Sequence, residues 1–233
     1  MNAIITGATK GIGRAITEIF AREGFNLALC SRSQSDLDAY RADLQQRFPN
    51  IEVLVRATDM RQKSEVLAFA EHLRAHWSAV EVLVNNAGVF LPGLISEEDD
   101  DLLEQQIETN LYSAYYLTRA LLPLMLPQQR GYIFIMCSIA SKIAYPNGGS
   151  YSISKFALLG FSKVLREELK DKGIRVSAIL PGATWSNSWA GVDLPEERLM
   201  QATDIAIAVW SAYQMSPSAV VEEIVLRPQL GDL

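Results

Sequence analysis

The sequence predicts an α/β protein built on a doubly wound parallel sheet of about seven strands, with helices on both faces. Three observations lead there. Short apolar runs alternate with stretches of helical apolar spacing along the whole chain, the pattern of repeated βα units. The first apolar run opens directly into a glycine-rich turn that starts a helix. Small or polar residues follow each run, at the strand ends where a doubly wound sheet holds its ligands.

Asn2-Ala-Ile-Ile-Thr6 is the first strand, and Gly7, Gly11 and Gly13 lead into a helix with apolar positions at Ile12, Ala15, Ile16, Ile19 and Phe20. Residues 26–30 are the second strand. Ser33-Gln-Ser-Asp36 has capping-box spacing and opens a helix to about Phe48, which Pro49-Asn50 breaks. A third strand over 51–57 precedes a helix over 61–76 that buries Val66, Leu67, Phe69, Ala70 and Leu73. Residues 80–84 form the fourth strand. A capped helix is expected from Ser96 to about Thr109. Its acidic run, 97–101, reads as a solvated first turn favoured by the helix dipole. Helices over 111–126 and 150–170 flank a fifth strand at 132–137. A sixth strand at 174–180, an irregular stretch to about 199, a helix over 204–213 and a strand at 222–226 complete the chain. No linker or repeat divides it, so one domain over 1–233 is expected, with a short substrate lid near 183–200.

Composition narrows the function. Hydrophobic residues make up 49% and charged residues 21%, the balance of a soluble globular protein with one packed core. A net charge of −6 argues against a nucleic-acid partner. No apolar run is long enough to cross a bilayer, and no charged-then-apolar leader opens the chain, so the expected location is the cytoplasm. Cys30 and Cys137 fall inside strand patterns and read as buried thiols in a reducing compartment. His72 and His76 lie four apart on one helix without a third ligand, and no metal site is expected.

Two motifs carry chemistry. The glycine turn lets backbone approach a pyrophosphate, and the helix behind it offers unpaired N–H groups to the anion. It lacks the G-K-[ST] ending of a Walker loop. Tyr151 and Lys155, four apart in a helical pattern, share one face. An ammonium beside a phenol is expected to bring the phenol pKa down from about 10, making a general acid/base tuned towards neutral pH.

Thr6-Gly7-x-x-x-Gly11-Ile12-Gly13, Asn85-Asn86-Ala87-Gly88, Asn110, Ser138, Tyr151 with Lys155, and Pro181-Gly182 together resemble the short-chain dehydrogenase/reductase family in its single-domain branch. The resemblance spans nearly the whole chain. It implies a Rossmann fold and a nicotinamide dinucleotide cofactor held by Gly7, Lys10, Gly11, Ile12, Gly13, Ser31, Arg32, Asp59, Asn86, Ala87, Gly88, Pro181, Gly182 and Thr184, with Tyr151 and Lys155. It implies that Tyr151 donates a proton to a substrate carbonyl oxygen, that Ser138 stabilises that oxygen, and that Lys155 tunes Tyr151 and holds the nicotinamide ribose. Asn110 would hold a water that relays protons to Lys155. Where the family carries threonine at the fifth residue beyond the proline, this chain has Ser186, with Thr184 two earlier; either could meet the carboxamide or a phosphate.

Charge points to NADP. A site selecting NAD commonly places an acid after strand 2, whereas this chain has Ser31 then Arg32, with Lys10 in the glycine turn. The expected activity is NADPH-dependent reduction of a ketone or aldehyde, a 3-oxoacyl group or a small carbonyl, with Leu91, Tyr145, Trp185 and Trp189 bordering the substrate. The tail after Leu226 lacks the family's common V-D-G-G ending and looks more like the branch of 3-hydroxy acid dehydrogenases and broad carbonyl reductases. Enoyl reductases of the family space tyrosine and lysine more widely, and its epimerases are longer. A member that only binds cofactor as a regulator or scaffold would usually have lost one of Asn110, Ser138, Tyr151 or Lys155. The helices over 111–126 and 150–170 carry more apolar surface than one sheet face requires. Family members pair such helices, so a homodimer or homotetramer is expected.

Overall fold

The computed structural model describes residues 1–185 and 193–232, apart from the side chain of Glu196. Among them seven strands form one sheet: β1 (Asn2–Thr6), β2 (Asn26–Ser31), β3 (Val53–Ala57), β4 (Val82–Asn85), β5 (Gly131–Met136), β6 (Ile174–Pro181) and β7 (Glu223–Leu226). All pairings are parallel, in the order β3–β2–β1–β4–β5–β6–β7. The connecting helices are α1 (Gly11–Arg22), α2 (Gln34–Arg47), α3 (Lys63–His76), α4 (Leu102–Ile107), α5 (Ser113–Met125), α6 (Gly149–Leu169) and α7 (Ala202–Gln214).

Each central strand is buried on both sides, which is why its sequence is a continuous apolar run. Alternate residues enter two separate cores. Ile5, Val82, Val84 and Phe134 pack under α1, α2 and α7, against Ile16, Phe20, Leu37 and Val209. Ile4, Leu83, Ile133 and Ile135 pack under α3, α5 and α6, against Phe69, Leu73, Leu121 and Leu158. From β1 the chain winds outward to β3 and then crosses back to place β4 on the other side of β1. Loops leaving β1 and β4 therefore diverge, and the crevice between them opens at the carboxyl edge of the sheet.

Most elements fall where the sequence places them. β3 starts two residues late because Ile51 closes a turn on Phe48 (3.3 Å). β4 starts at Val82 because the Val80 N–H is drawn to the Leu124 carbonyl at the end of α5 (3.2 Å). The larger correction is at the expected helix over 96–109. Residues 95–101 form turns, and α4 begins only at Leu102. From there helix runs through a π-helical turn, Glu108–Tyr112, directly into α5, so one bulged helix replaces two. Such bulges frequently mark functional positions, and this one holds Asn110.

Candidate active site

At the carboxyl edge the loops after β1, β4, β5 and β6 enclose a cavity of about 730 Å³. Its wall runs from Ile12 in the glycine turn, past Asn86 and Gly88 after β4, to Ser138, Tyr151, Lys155 and Pro181.

The glycine turn is shaped by backbone requirements. Gly7 has φ +64°, a conformation that favours glycine, and a Cβ on Gly13 would overlap the Gly7 carbonyl. Asn86 ties this turn to β4: its Nδ2 donates to the Thr6 carbonyl (2.8 Å) and the Gly7 carbonyl (3.3 Å). The Thr6 hydroxyl in turn accepts from Asn86 N (2.9 Å) and Ala87 N (2.8 Å).

These features fit an anionic dinucleotide. No side chain caps the start of α1, which leaves its first-turn N–H groups for an anion. Ser31 Oγ, at the end of β2, is buried with no partner among the described residues. Lys10 and Arg32 are exposed and take no part in the ion pairs formed among the described residues. Asp59 sits just past β3 and accepts from Arg61 N (3.0 Å). Beyond β6, Thr184 is buried and donates its hydroxyl to the Gly182 carbonyl (3.0 Å).

Ser138, Tyr151 and Lys155 converge at one end of the cavity. Tyr151 lies in the first turn of α6, and it lines the cavity together with Ser138, whose hydroxyl is close enough to act on the ionisation of the phenol. Phe90 packs edge-on to its ring at 4.8 Å. Lys155, one turn on, holds its Nζ 5.7 Å from the same ring and donates to the Met136 carbonyl (2.9 Å). Asn110 braces this assembly. Its Nδ2 donates to the Val89 carbonyl (3.1 Å) and to Ser154 Oγ (2.9 Å), and its Oδ1 accepts from Val89 N (2.8 Å). Ser154 passes the tie on to the Tyr151 carbonyl (2.7 Å).

The electrostatics correct one expectation. Burial pushes Tyr151 above its usual value of 10; the Ser138 hydroxyl works against this, and Cys137 adds to it. Burial also lowers Lys155 from 10.5 to about 8. The expected net lowering of Tyr151 is therefore absent in the protein alone, because desolvation of the phenol is the largest influence on it. Cys137, lining the cavity beside Ser138, is pushed up to about 11 by burial, with Lys155 opposing.

Of the residues expected to border the substrate, Tyr145 lines the cavity, and Leu91 and Trp185 are not among its lining residues. Leu91 pairs its backbone with the Gln106 side chain, and the Trp185 N–H is held by the Met200 carbonyl (2.8 Å). Trp189 and Ser186 lie outside the described residues. His76 Nδ1 sits 2.7 Å from the His72 carbonyl, and among the described residues no three potential metal ligands cluster. No helix among them is long and apolar enough to cross a membrane.

Sequence reasoning missed two contributors. Glu98, read as part of a solvated helix start, instead accepts from Ser150 N (2.9 Å) and from Ser150 Oγ, capping the start of the helix that carries Tyr151. Arg227 and Asp232, in the tail, line the cavity and bond to each other (2.7 Å). Nothing in the local pattern marks the Glu98–Ser150 contacts, which join residues 52 apart, or the bond from Ala183 N to Asp232 (3.0 Å), which joins residues 49 apart.

The chain belongs to the short-chain dehydrogenase family, whose model matches residues 1–196. Among characterised relatives, it is 34% identical over 238 aligned residues to sepiapterin reductase from Chlorobaculum tepidum, covering 99% of this chain and 97% of that one. Among solved structures, it is 28% identical to an alcohol dehydrogenase from the archaeon Thermococcus sibiricus complexed with 5-hydroxy-NADP, with TM-score 0.89 and 97% and 96% of the two chains covered. L-sorbose reductase from Gluconobacter frateurii, complexed with NADPH and L-sorbose, is also 28% identical, with TM-score 0.88 over 97% and 94% of the chains.

Two outcomes follow from this geometry. Glu98→Ala leaves the Ser150 donors, in a residue 2% exposed, without an acceptor, and should lower stability by about 1–3 kcal/mol in urea unfolding. Glu98→Gln, which keeps an acceptor, should lose less. The second outcome concerns pH. Between about 8 and 10.5 the unfolded chain keeps the Lys155 proton that the folded chain has released. Lys155 therefore makes stability rise with pH across that window. Cys30, Cys137 and Tyr151, all pushed up, act in the opposite sense. The signal is thus the unfolding free energy of wild type minus that of Lys155→Met, which should increase by roughly 2 kcal/mol between pH 8 and 10.

Proposed function

We propose that this protein is an NADPH-dependent oxidoreductase that reduces a ketone or aldehyde, a 3-oxoacyl group or a small carbonyl compound, to an alcohol. The observation that carries the reading is the convergence of Ser138, Tyr151 and Lys155, its Nζ 5.7 Å from the Tyr151 ring, in one cavity that also reaches Ile12 of the glycine turn. Bound along that cavity, the dinucleotide would supply a hydride to the carbonyl carbon.

The chain's own residues do the rest. The Ser138 hydroxyl and the Tyr151 phenol both reach the carbonyl oxygen from one side, and Ser138 stabilises the negative charge that grows there. Tyr151, kept protonated by burial, gives its proton to that oxygen. The Lys155 ammonium, held by the Met136 carbonyl, favours the phenolate left behind. Asn110 keeps the wall after β4 in register with α6 through Val89 and Ser154, in addition to any water it holds for Lys155. Phe90, Ile139, Ile143 and Tyr145 give the substrate an apolar wall.

Lys10, Arg32 and the unpartnered Ser31 hydroxyl favour a 2′-phosphate, and no carboxylate follows β2 to repel one. The NADP-type ligands of the two structural relatives support the same choice. The exposed apolar side chains Tyr112, Tyr115, Ile153, Phe156 and Val164, on or beside α5 and α6, support assembly into a homodimer or homotetramer.

Consumption of NADPH with a panel of ketones and aldehydes tests the activity. Tyr151→Phe should lower kcat by about 100-fold or more. Arg32→Ala should raise the KM for NADPH by about tenfold while leaving that for NADH unchanged. A wild type that binds NADPH yet reduces nothing, with Tyr151→Phe equally inert, would favour a cofactor-binding regulator or scaffold. Light scattering at micromolar concentration should give at least twice the monomer mass, and the monomer mass alone would overturn the assembly.

A further inference from the structure

The cavity carries a charge arrangement that the reduction step does not use. Arg227 and Asp232 both line it. Asp232 is fixed from two sides: its Oδ1 accepts from Ala183 N (3.0 Å), and its Oδ2 accepts from Arg227 Nε (2.7 Å). Gly182 packs so close to Asp232 that a Cβ there would overlap the carboxylate. Arg198 clamps the same segment, donating to the Gly231 carbonyl (2.8 Å) and the Asp232 carbonyl (3.4 Å). The tail is thus stapled to the loop after β6.

This geometry orients a guanidinium. Asp232 engages only Nε, so both terminal nitrogens of Arg227 remain without a partner among the described residues. The side chain is 46% exposed. The fixed fork of a guanidinium matches a carboxylate through two parallel N–H bonds. Charge favours the same ligand. The charged groups lining the cavity are Lys155, Arg227 and Asp232, and both oxygens of that one carboxylate are engaged. The lining is therefore positive in a chain whose net charge is −6. Tyr145 lines the same cavity, and its phenol, pushed up to about 12 by burial, is raised further by both Tyr151 and Asp232.

We propose that Arg227 is a specificity-determining residue that binds an acidic group on the substrate, so that the compound reduced is an oxo acid. The proposal rests on the carbonyl-reductase reading. The carboxylate sits on the terminal nitrogens of Arg227 while the carbonyl oxygen faces Ser138 and Tyr151. The redox step is unchanged: the carbonyl carbon would take the hydride that bound NADPH supplies, Tyr151 gives its proton to the oxygen, and the products are the hydroxy acid and NADP.

The test compares a series of short- to medium-chain oxo acids with their methyl esters, in wild type, Arg227→Gln and Arg227→Lys. Wild type should prefer at least one acid over its ester in kcat/KM by about tenfold or more. Arg227→Gln should bring that ratio close to one, and Arg227→Lys, which keeps the charge without the fork, should restore part of it. Three results overturn the proposal: no acid preferred over its ester, Arg227→Gln lowering acid and ester equally, or an unchanged ratio with a raised KM for NADPH. The last would assign Arg227 to the cofactor. If wild type reduces neither acid nor ester, the reductase reading fails by itself and binding decides. Titration calorimetry with the same acids should then show binding to wild type that Arg227→Gln weakens about tenfold; equal or no binding overturns the proposal.

Discussion

The side chains of Thr6 and Asn86 hold the centre of the molecule together. The Thr6 hydroxyl accepts two backbone N–H groups from the loop after β4, and the Asn86 amide donates back to two carbonyls at the end of β1. These bonds span the point where the winding of the sheet reverses. Without them, two divergent loops would be free to move apart. With them, Gly7 and Gly13 on one side and Gly88 on the other become parts of one surface. The same rigidity extends outward through Val89 to Asn110, from Asn110 to Ser154, and from Ser154 to the backbone of Tyr151. Hydrogen bonds joined by a short stretch of chain therefore relate the glycine turn to the backbone of Tyr151.

Desolvation governs the ionisation of the site. Lys155 is 5% exposed and has one backbone acceptor, too little to offset the loss of water around a full positive charge. Its ammonium is weakened while the neighbouring phenol is strengthened as a proton holder. A neutral phenol is the form needed to donate a proton to a reduced carbonyl. Binding an anionic dinucleotide beside Lys155 would add negative charge that raises the lysine again, so that cofactor binding and the ionisation of this pair would be coupled electrostatically.

The fold was legible because parallel strands buried on both sides leave runs such as Ile4-Ile5 and Ile133-Phe134-Ile135 with few other readings. The glycine turn and the Tyr151–Lys155 pair were legible because each depends on residues close in sequence. What escaped was long-range. Glu98 belongs to an acidic run that suits a helix N-terminus, and it does serve one; that terminus belongs to α6, 52 residues on. The π-helical turn at Asn110 was invisible because one extra residue per turn changes apolar spacing too little to separate it from a helix boundary. The sign of the Tyr151 shift also eluded the sequence, since spacing puts the ammonium nearby but says nothing of how much water the fold removes.

Cys137 illustrates what burial protects. A thiolate facing this chamber would add reversibly to any aldehyde or ketone that entered it, giving a hemithioacetal or hemithioketal. Here the sulfur is 2% exposed and its acidity is suppressed to about 11. At neutral pH it stays a thiol, poorly nucleophilic and hard to reach. A carbonyl compound held at Ser138, one residue away, would then escape addition by the thiol, and the same dry lining keeps both Cys137 and Tyr151 protonated.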